Sequence, residues 1–285
     1  ANLGKVFKKY RNSPQEPVFL SRLADLQVQR SGILFRISHG IVTAGYKKAL
    51  EAAISTLTEL IKKYPGSAEM PQALFARGKA YSELKKIEPS KSDFLRLIAE
   101  FPDFEFIDSA HMAVAEFEME ANRYDVAIKH LHEVEKNPES GHFPYALQKL
   151  GWSYYNLKSF DKATGYLVKH IRLYQGLKAA DESEAQLNAS VIENSLSDLS
   201  LFYFDAFEAK ADGYTIDKSL TFFHDIEKGP LFGKTYLRFA KLLKAHGHYE
   251  EIQQLKRMVL ADYERLPETA DVVILVFDYE FGKRS

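Results

Sequence analysis

Nine histidines and 39 acidic residues are the groups through which this chain could bind a metal or move a proton, and it has no cysteine. Without cysteine there is no disulfide, no thiolate metal site and no cysteine nucleophile. His130 and His132 stand two apart. On a helix that spacing turns about 200° around the axis, so the two rings cannot share an ion. His246-Gly247-His248 falls between two helical stretches and reads as a turn rather than a metal site. Glu116, Glu118 and Glu120 alternate along a helix and read as solvated or groove-lining carboxylates. Asp181, Glu182 and Glu184 suit the start of a helix, whose N-terminus favours negative charge, better than a calcium cage. No glycine-rich phosphate loop, His-Glu-x-x-His pair or Gly-x-Ser-x-Gly elbow occurs. The residues therefore imply no catalytic, cofactor or metal site. A hidden enzymatic site would have to lie in the irregular segment 176–235.

Charge and hydropathy narrow the partners. Thirty-eight basic against 39 acidic side chains leave a formal charge of −1 and a pI near 6.9, without the basic footprint that nucleic acid or an anionic membrane demands. The longest apolar run, Val272–Phe277, lies between Asp271 and Asp278, far short of the roughly 20 residues needed to span a bilayer. The apolar share of 46 % is that of a folding chain, and 285 residues allow one or two domains or one elongated array.

The elements that hold these groups repeat. Ile61-Lys-Lys-Tyr-Pro65, Ile98-Ala-Glu-Phe-Pro102 and Val134-Glu-Lys-Asn-Pro138 end three segments, with prolines spaced 37 and 36. Gly78, Ala115 and Gly151 keep the same step, as do Leu57, Phe94, Leu131 and Leu167, and Ala53, Ser90, Ala127 and Ala163. Within a unit the period is helical: Ala146, Leu147, Leu150, Gly151, Tyr154 and Tyr155 share one broad face. Each unit thus reads as two helices and a turn, closed by a proline that cannot continue a helix. Glycine inside a helix costs about 1 kcal/mol relative to alanine. Its return at Gly78 and Gly151 predicts a close crossing with the small residues of the second helix.

Leu150-Gly-Trp-Ser-Tyr-Tyr-Asn-Leu-Lys-Ser-Phe-Asp-Lys-Ala163 resembles a tetratricopeptide repeat. Residues 74–102 resemble one through Leu74, Gly78, Tyr81, Phe94, Leu97 and Pro102. Residues 108–138 depart by placing Glu118 in the large-aromatic column, and 37–65 match mainly in the second helix. The resemblance implies an all-α solenoid of helical hairpins, a right-handed superhelix. Its expected organisation is an array over 1–175 (a half-unit, then repeats 37–65, 74–102, 108–138 and 144–175), a degenerate longer hairpin over 176–232, and a further unit with a half-unit over 233–285. The half-units, Leu3–Tyr10 and Val272–Phe281, are expected to leave apolar surface at an open end, with end-to-end self-association as one consequence.

In this repeat family first helices line the inner face. Carried over column by column, that face would present Gln72, Phe75 and Lys79, then Met112, Glu116 and Met119, then Tyr145, Gln148, Trp152 and Tyr155. Two readings stay open for the rings and methionines among them: partner binding, or packing against neighbouring hairpins. Chaperone-associated members hold a C-terminal carboxylate with lysine and asparagine at these columns; only Lys79 fits, so that use is not expected. Phe19–Arg30, Tyr145–Tyr155 and Glu184-Ala185 are similar to multi-repeat envelope proteins of gliding and predatory bacteria, some tied to motility. The resemblance implies a non-enzymatic scaffold for a protein or peptide partner, with the periplasm or cell envelope favoured. The alternative is a cytoplasmic regulatory adaptor for a signalling partner.

Overall fold

A computed structural model describes residues 10–282, with side chains through Val276. Among the described residues there are thirteen helices and no strand: α1 (Glu16–Ile37), α2 (Ala44–Lys63), α3 (Met70–Glu83), α4 (Ile87–Glu100), α5 (Ile107–Glu120), α6 (Tyr124–Glu135), α7 (Phe143–Asn156), α8 (Phe160–Gly176), α9 (Glu182–Glu208), α10 (Ile216–Ile226), α11 (Leu231–Ala245), α12 (Tyr249–Asp262) and α13 (Pro267–Gly282). The architecture is all-α, with the expected hairpins.

One backbone device ends the first helices α1, α3, α5, α7, α9 and α11. The second residue past each places its φ in the left-handed region: His39, Lys85, Asn122, Lys158, Lys210 and Gly247. The next N–H then reaches back to a carbonyl five residues earlier, as in Lys86 N–H to Tyr81 O (2.9 Å), Arg123 to Glu118 (2.8 Å) and Ser159 to Tyr154 (2.9 Å). This closure satisfies carbonyls that a helix end leaves without partners. Lys85, Asn122 and Lys158 keep the 37- and 36-residue steps of the sequence repeat. Helix starts differ more. Thr43 Oγ1 accepts the Tyr46 N–H at 3.2 Å, and Asp181 accepts that of Glu184 at 2.9 Å. The acidic run at 181–184 is accordingly a helix cap.

The packing follows the columns read from the sequence. Ala53, Ser90, Ala127 and Ala163 are fully buried, and so in effect are Leu57, Phe94, Leu131 and Leu167. A Cβ added at Gly78 would lie 2.9 Å from Phe94 Cε1, and one at Gly151 would lie 3.2 Å from Leu167 Cγ. The close crossings are present where the glycines predict them. Ser90 adds a hydrogen bond of 2.7 Å to the Gly78 carbonyl.

The chain divides into two compact units, with the boundary between His142 and Phe143. The first has its main core between α1 and α5, around Leu57, Leu60, Leu74, Phe94 and Leu97. The second packs α8 through α13 around Phe202, Tyr203, Phe223, Tyr236 and Phe239. From the hairpin at 144–175, α8 contributes Phe160, Ala163, Leu167 and Ile171 to this core, and Trp152, Tyr154 and Tyr155 of α7 pack against it. The first helix of the unit read at 37–65 is α1, which lies upstream of that range and is 22 residues long. Most of the expected half-unit at Leu3–Tyr10 lies outside the described residues. Its last residue, Tyr10, stacks on Phe19 at 4.9 Å.

Candidate partner-binding grooves

In the first unit, α1 and α3 are successive first helices, and a groove of about 230 Å³ runs between them. Asp25, Val28 and Gln29 form the α1 wall; Gln72, Phe75, Ala76, Lys79 and Glu83 form the α3 wall, with Leu50 and Ala80 beneath. Helical spacing puts these α3 residues on one side. Phe75 is held in place from behind. Its ring stacks on Phe106 at 5.5 Å and meets Phe94 and Phe104 at 6.0 and 5.6 Å. Lys79 is exposed, its Nζ 5.5 Å from the Phe75 ring. Tyr46 donates to Glu83 at 2.6 Å, and burial together with that bond pushes the phenol up to about 12. The groove thus has an apolar floor, a cation at its centre and a carboxylate toward each end. Gln72, Phe75 and Lys79 line this groove together, with Phe75 buried to 9 % exposure.

The other expected residues are placed differently. On α5, Met112 is only 5 % exposed, a core side chain rather than part of an open wall. Glu116 is exposed, and Met119 is half-buried. On α7, Tyr145 is 57 % exposed and Gln148 half-buried. Trp152 and Tyr155, for which both partner binding and packing on a neighbour were open, are half-buried against α9. The indole N–H donates to Asp198 at 3.2 Å and the ring meets Phe202 edge-on at 4.9 Å. Tyr155 stacks on Phe202 at 4.2 Å and donates to Asp205. A 27-residue α9 brings two carboxylates and a phenylalanine onto this face, satisfying the polar ends of both rings and leaving them half-buried.

The second unit has a groove that the sequence reading did not find. Glu193, Asn194 and Ser197 of α9 face Lys234, Thr235, Arg238 and Lys241 of α11 across about 350 Å³. Lys234 pairs with Glu193 at 2.8 Å, and Arg238 Nε donates to the Ser197 carbonyl at 3.3 Å. Among the described residues Lys241 makes no ion pair. Matching the left-handed residue Gly247 to Lys85 sets Lys234, Arg238 and Lys241 in the columns of Gln72, Ala76 and Lys79. That register is the signal in the sequence that locates the groove, once the inner columns are carried into the unit within 233–285.

The remaining chemical groups are occupied with one another. Glu118 is buried, not solvated, and pairs with Lys91 and Arg123. Burial pushes its carboxyl up, and the bonds from Arg123 and Lys91 outweigh that to hold it below the usual range. His111 and His130 meet at 3.0 Å between their Nδ1 atoms, and burial lowers both imidazoles. His248 donates to Glu208 at 2.9 Å and His246 lies 3.4 Å from it; the His248 bond chiefly lowers the carboxyl. No group of three His, Asp or Glu among the described residues is placed to hold a metal, and no described helix is long and apolar enough to cross a membrane.

The tetratricopeptide repeat family matches residues 43–67 and 72–103, which span α2 and the hairpin α3–α4. No curated protein matches the chain. Similar solved structures include a tetratricopeptide repeat protein from Parabacteroides merdae, 15 % identical, covering 96 % of this chain and 90 % of that one at a TM-score of 0.49. The type IV pilus biogenesis factor PilW is 14 % identical over 88 % of this chain and 98 % of its own, at 0.42. The pilF protein of Pseudomonas aeruginosa is 16 % identical over 88 % and 97 %, at 0.43. At these identities neither partner nor compartment transfers to this chain. The chain carries tetratricopeptide repeats, matched at residues 43–67 and 72–103, in an all-α solenoid of the helical hairpins that such repeats form.

Proposed function

We propose that the chain is a non-enzymatic scaffold that binds segments of a protein partner in the grooves between successive first helices. The observation that carries this reading is the repetition of one geometry. In both units the same columns of a first helix, Gln72–Lys79 on α3 and Lys234–Lys241 on α11, line a groove against the first helix before it. Such a groove offers ring and aliphatic surface for side chains and charged or amide groups for a partner's backbone. Gln72, Phe75 and Lys79 lead in the first unit. Tyr145 and Gln148 are the accessible members of the α7 set, while Met112, Trp152 and Tyr155 support the binding helices from within. A setting in the cell envelope, in a motility or assembly complex, is part of the proposal.

The test is affinity capture with the intact chain, followed by cross-linking and mass spectrometry. A partner cross-linked to Lys79 or Lys241, and lost with Gln72→Ala/Lys79→Glu at unchanged helical content, supports the reading. Cross-links confined to second helices, or capture unaffected by charge reversal in either groove, would overturn it. Fractionation of cells expressing the full-length gene tests the compartment.

A further inference from the structure

One face of α1 carries an exposed apolar stripe. Leu26, Ile33 and Ile37 are 40 %, 48 % and 71 % exposed, and Ile41 and Val42 extend the surface into the following turn. Matching the left-handed residues His39 and Lys85 puts Leu26, Arg30, Ile33 and Ile37 of α1 where α3 has Gln72, Ala76, Lys79 and Glu83. On α3 those columns face a preceding first helix, and they are mostly polar because the groove there is open. On α1 the same columns are mostly apolar. Leaving three aliphatic side chains so exposed forgoes the roughly 25 cal/mol per Å² that burial would contribute.

Charge describes what would cover them. At 100° per residue, Arg22, Arg30 and Arg36 all fall within about 80° of the centre of the stripe. Arg22 lies 4.0 Å from Asp25, and Arg30 and Arg36 make no ion pair among the described residues. We propose that this face of α1 is a docking site for an amphipathic helix of a partner protein, with acidic residues flanking its apolar side. The stacking already present between α1 and α3 sets the docking mode, and the arginines set the sign of the flanks. This surface is separate from the grooves, so either can fail without the other.

The probes are two labelled 21-residue synthetic helices with the same leucine stripe, one flanked by glutamates and one by lysines, titrated against the intact chain by fluorescence anisotropy. The glutamate helix is expected to bind at least tenfold more tightly than its lysine twin. Ile33→Asp/Ile37→Asp should weaken it at least tenfold, and Arg30→Glu/Arg36→Glu should reverse the preference between the twins. Both pairs are exposed, so denaturation midpoints should be unchanged; the charge reversal keeps the apolar stripe intact should the aspartate variant fold poorly. Equal binding of both helices, or binding unaffected by either variant, would overturn the proposal. So would binding only to phosphatidylglycerol vesicles, which would make the face a membrane contact, or self-association through Ile33 and Ile37 with neither helix bound.

Discussion

Gly151 and Gly165 sit on adjacent helices of the second unit and differ in one respect that can be measured. At Gly165, in the exposed middle of α8, an added Cβ meets nothing within 4 Å. Alanine there should gain the full difference in helix propensity, about 1 kcal/mol. At Gly151 the same atom would sit 3.2 Å from Leu167 Cγ and 3.3 Å from the Ala163 carbonyl oxygen. The same gain in propensity then opposes an overpacking cost of roughly 1–3 kcal/mol, toward the lower end for a single methyl group. Gly151→Ala should be neutral to destabilising by about 1 kcal/mol, and Gly165→Ala stabilising by about 1 kcal/mol. Gly151→Leu, which must place three more carbons against Leu167, should cost about 3 kcal/mol or more. Urea titration followed by the fluorescence of Trp152, the chain's only tryptophan, reports on this unit. With an m-value of about 1–3 kcal/mol/M, a separation of about 1.5 kcal/mol moves the midpoint by about 0.5–1.5 M. If Gly151→Ala stabilises as much as Gly165→Ala, the helices do not cross closely at Gly151, and the structural reading of the repeat's glycine column fails.

Lys85 holds φ at 59°, so Lys85→Gly should raise the stability of the first unit by about 0.5–1 kcal/mol in chemical denaturation. Arg77 binds Asp93 through Nε at 2.8 Å and Nη2 at 2.6 Å, with both side chains largely buried. Asp93→Ala strands the guanidinium and should cost about 3 kcal/mol, whereas Arg96→Ala, which removes an exposed pair, should cost less than about 1 kcal/mol. Burial pushes the Glu16 carboxyl up, but bonds from Lys63, Tyr64 and the Asn12 N–H prevail and hold it at about 2, below its ordinary 4.5. A depressed pKa stabilises the folded state above the unfolded value and loses that contribution as pH falls. The stability of the first unit should therefore drop between about pH 4.5 and 2, and Glu16→Gln should flatten the drop; an identical pH profile for the variant would refute this.

The hairpins were legible because each depends on local spacing. The glycine and small-residue columns, the prolines and the helical period each need only one chain segment; the small-residue column returns in all four repeats, and the glycine column and the closing prolines in three. What covers a helix face is not local. Nothing within 144–175 decides between an open wall and packing for Trp152 and Tyr155; their contacts Asp198, Phe202 and Asp205 of α9 lie about 50 residues on. His130 was weighed against His132, its neighbour in sequence, while its partner His111 comes from the other helix of the hairpin. The α11 groove is legible in the same register, which sets Lys234, Arg238 and Lys241 in the columns of Gln72, Ala76 and Lys79.

Glu118 shows what the repeat constrains and what it leaves free. It occupies the column of Tyr81 and Tyr154, where a carboxylate broke the pattern read from the sequence. Yet its backbone does what theirs do: the Glu118 carbonyl accepts the Arg123 N–H at 2.8 Å, as Tyr81 and Tyr154 accept Lys86 and Ser159 at 2.9 Å. The turn asks this position for a carbonyl in helical register, and the side chain enters only through packing. A large ring satisfies the packing by burying area. A carboxylate must be compensated, because an unpaired buried charge is strongly destabilising. Arg123 lies in the same turn and Lys91 comes from α4 of the preceding hairpin, so both cations are supplied by elements the solenoid already places there. The substitution thus exchanges apolar packing for a charge contact between hairpins, which holds only while the two remain stacked. The repeat tolerates the odd residue because the backbone turn, rather than the aromatic column, defines the hairpin.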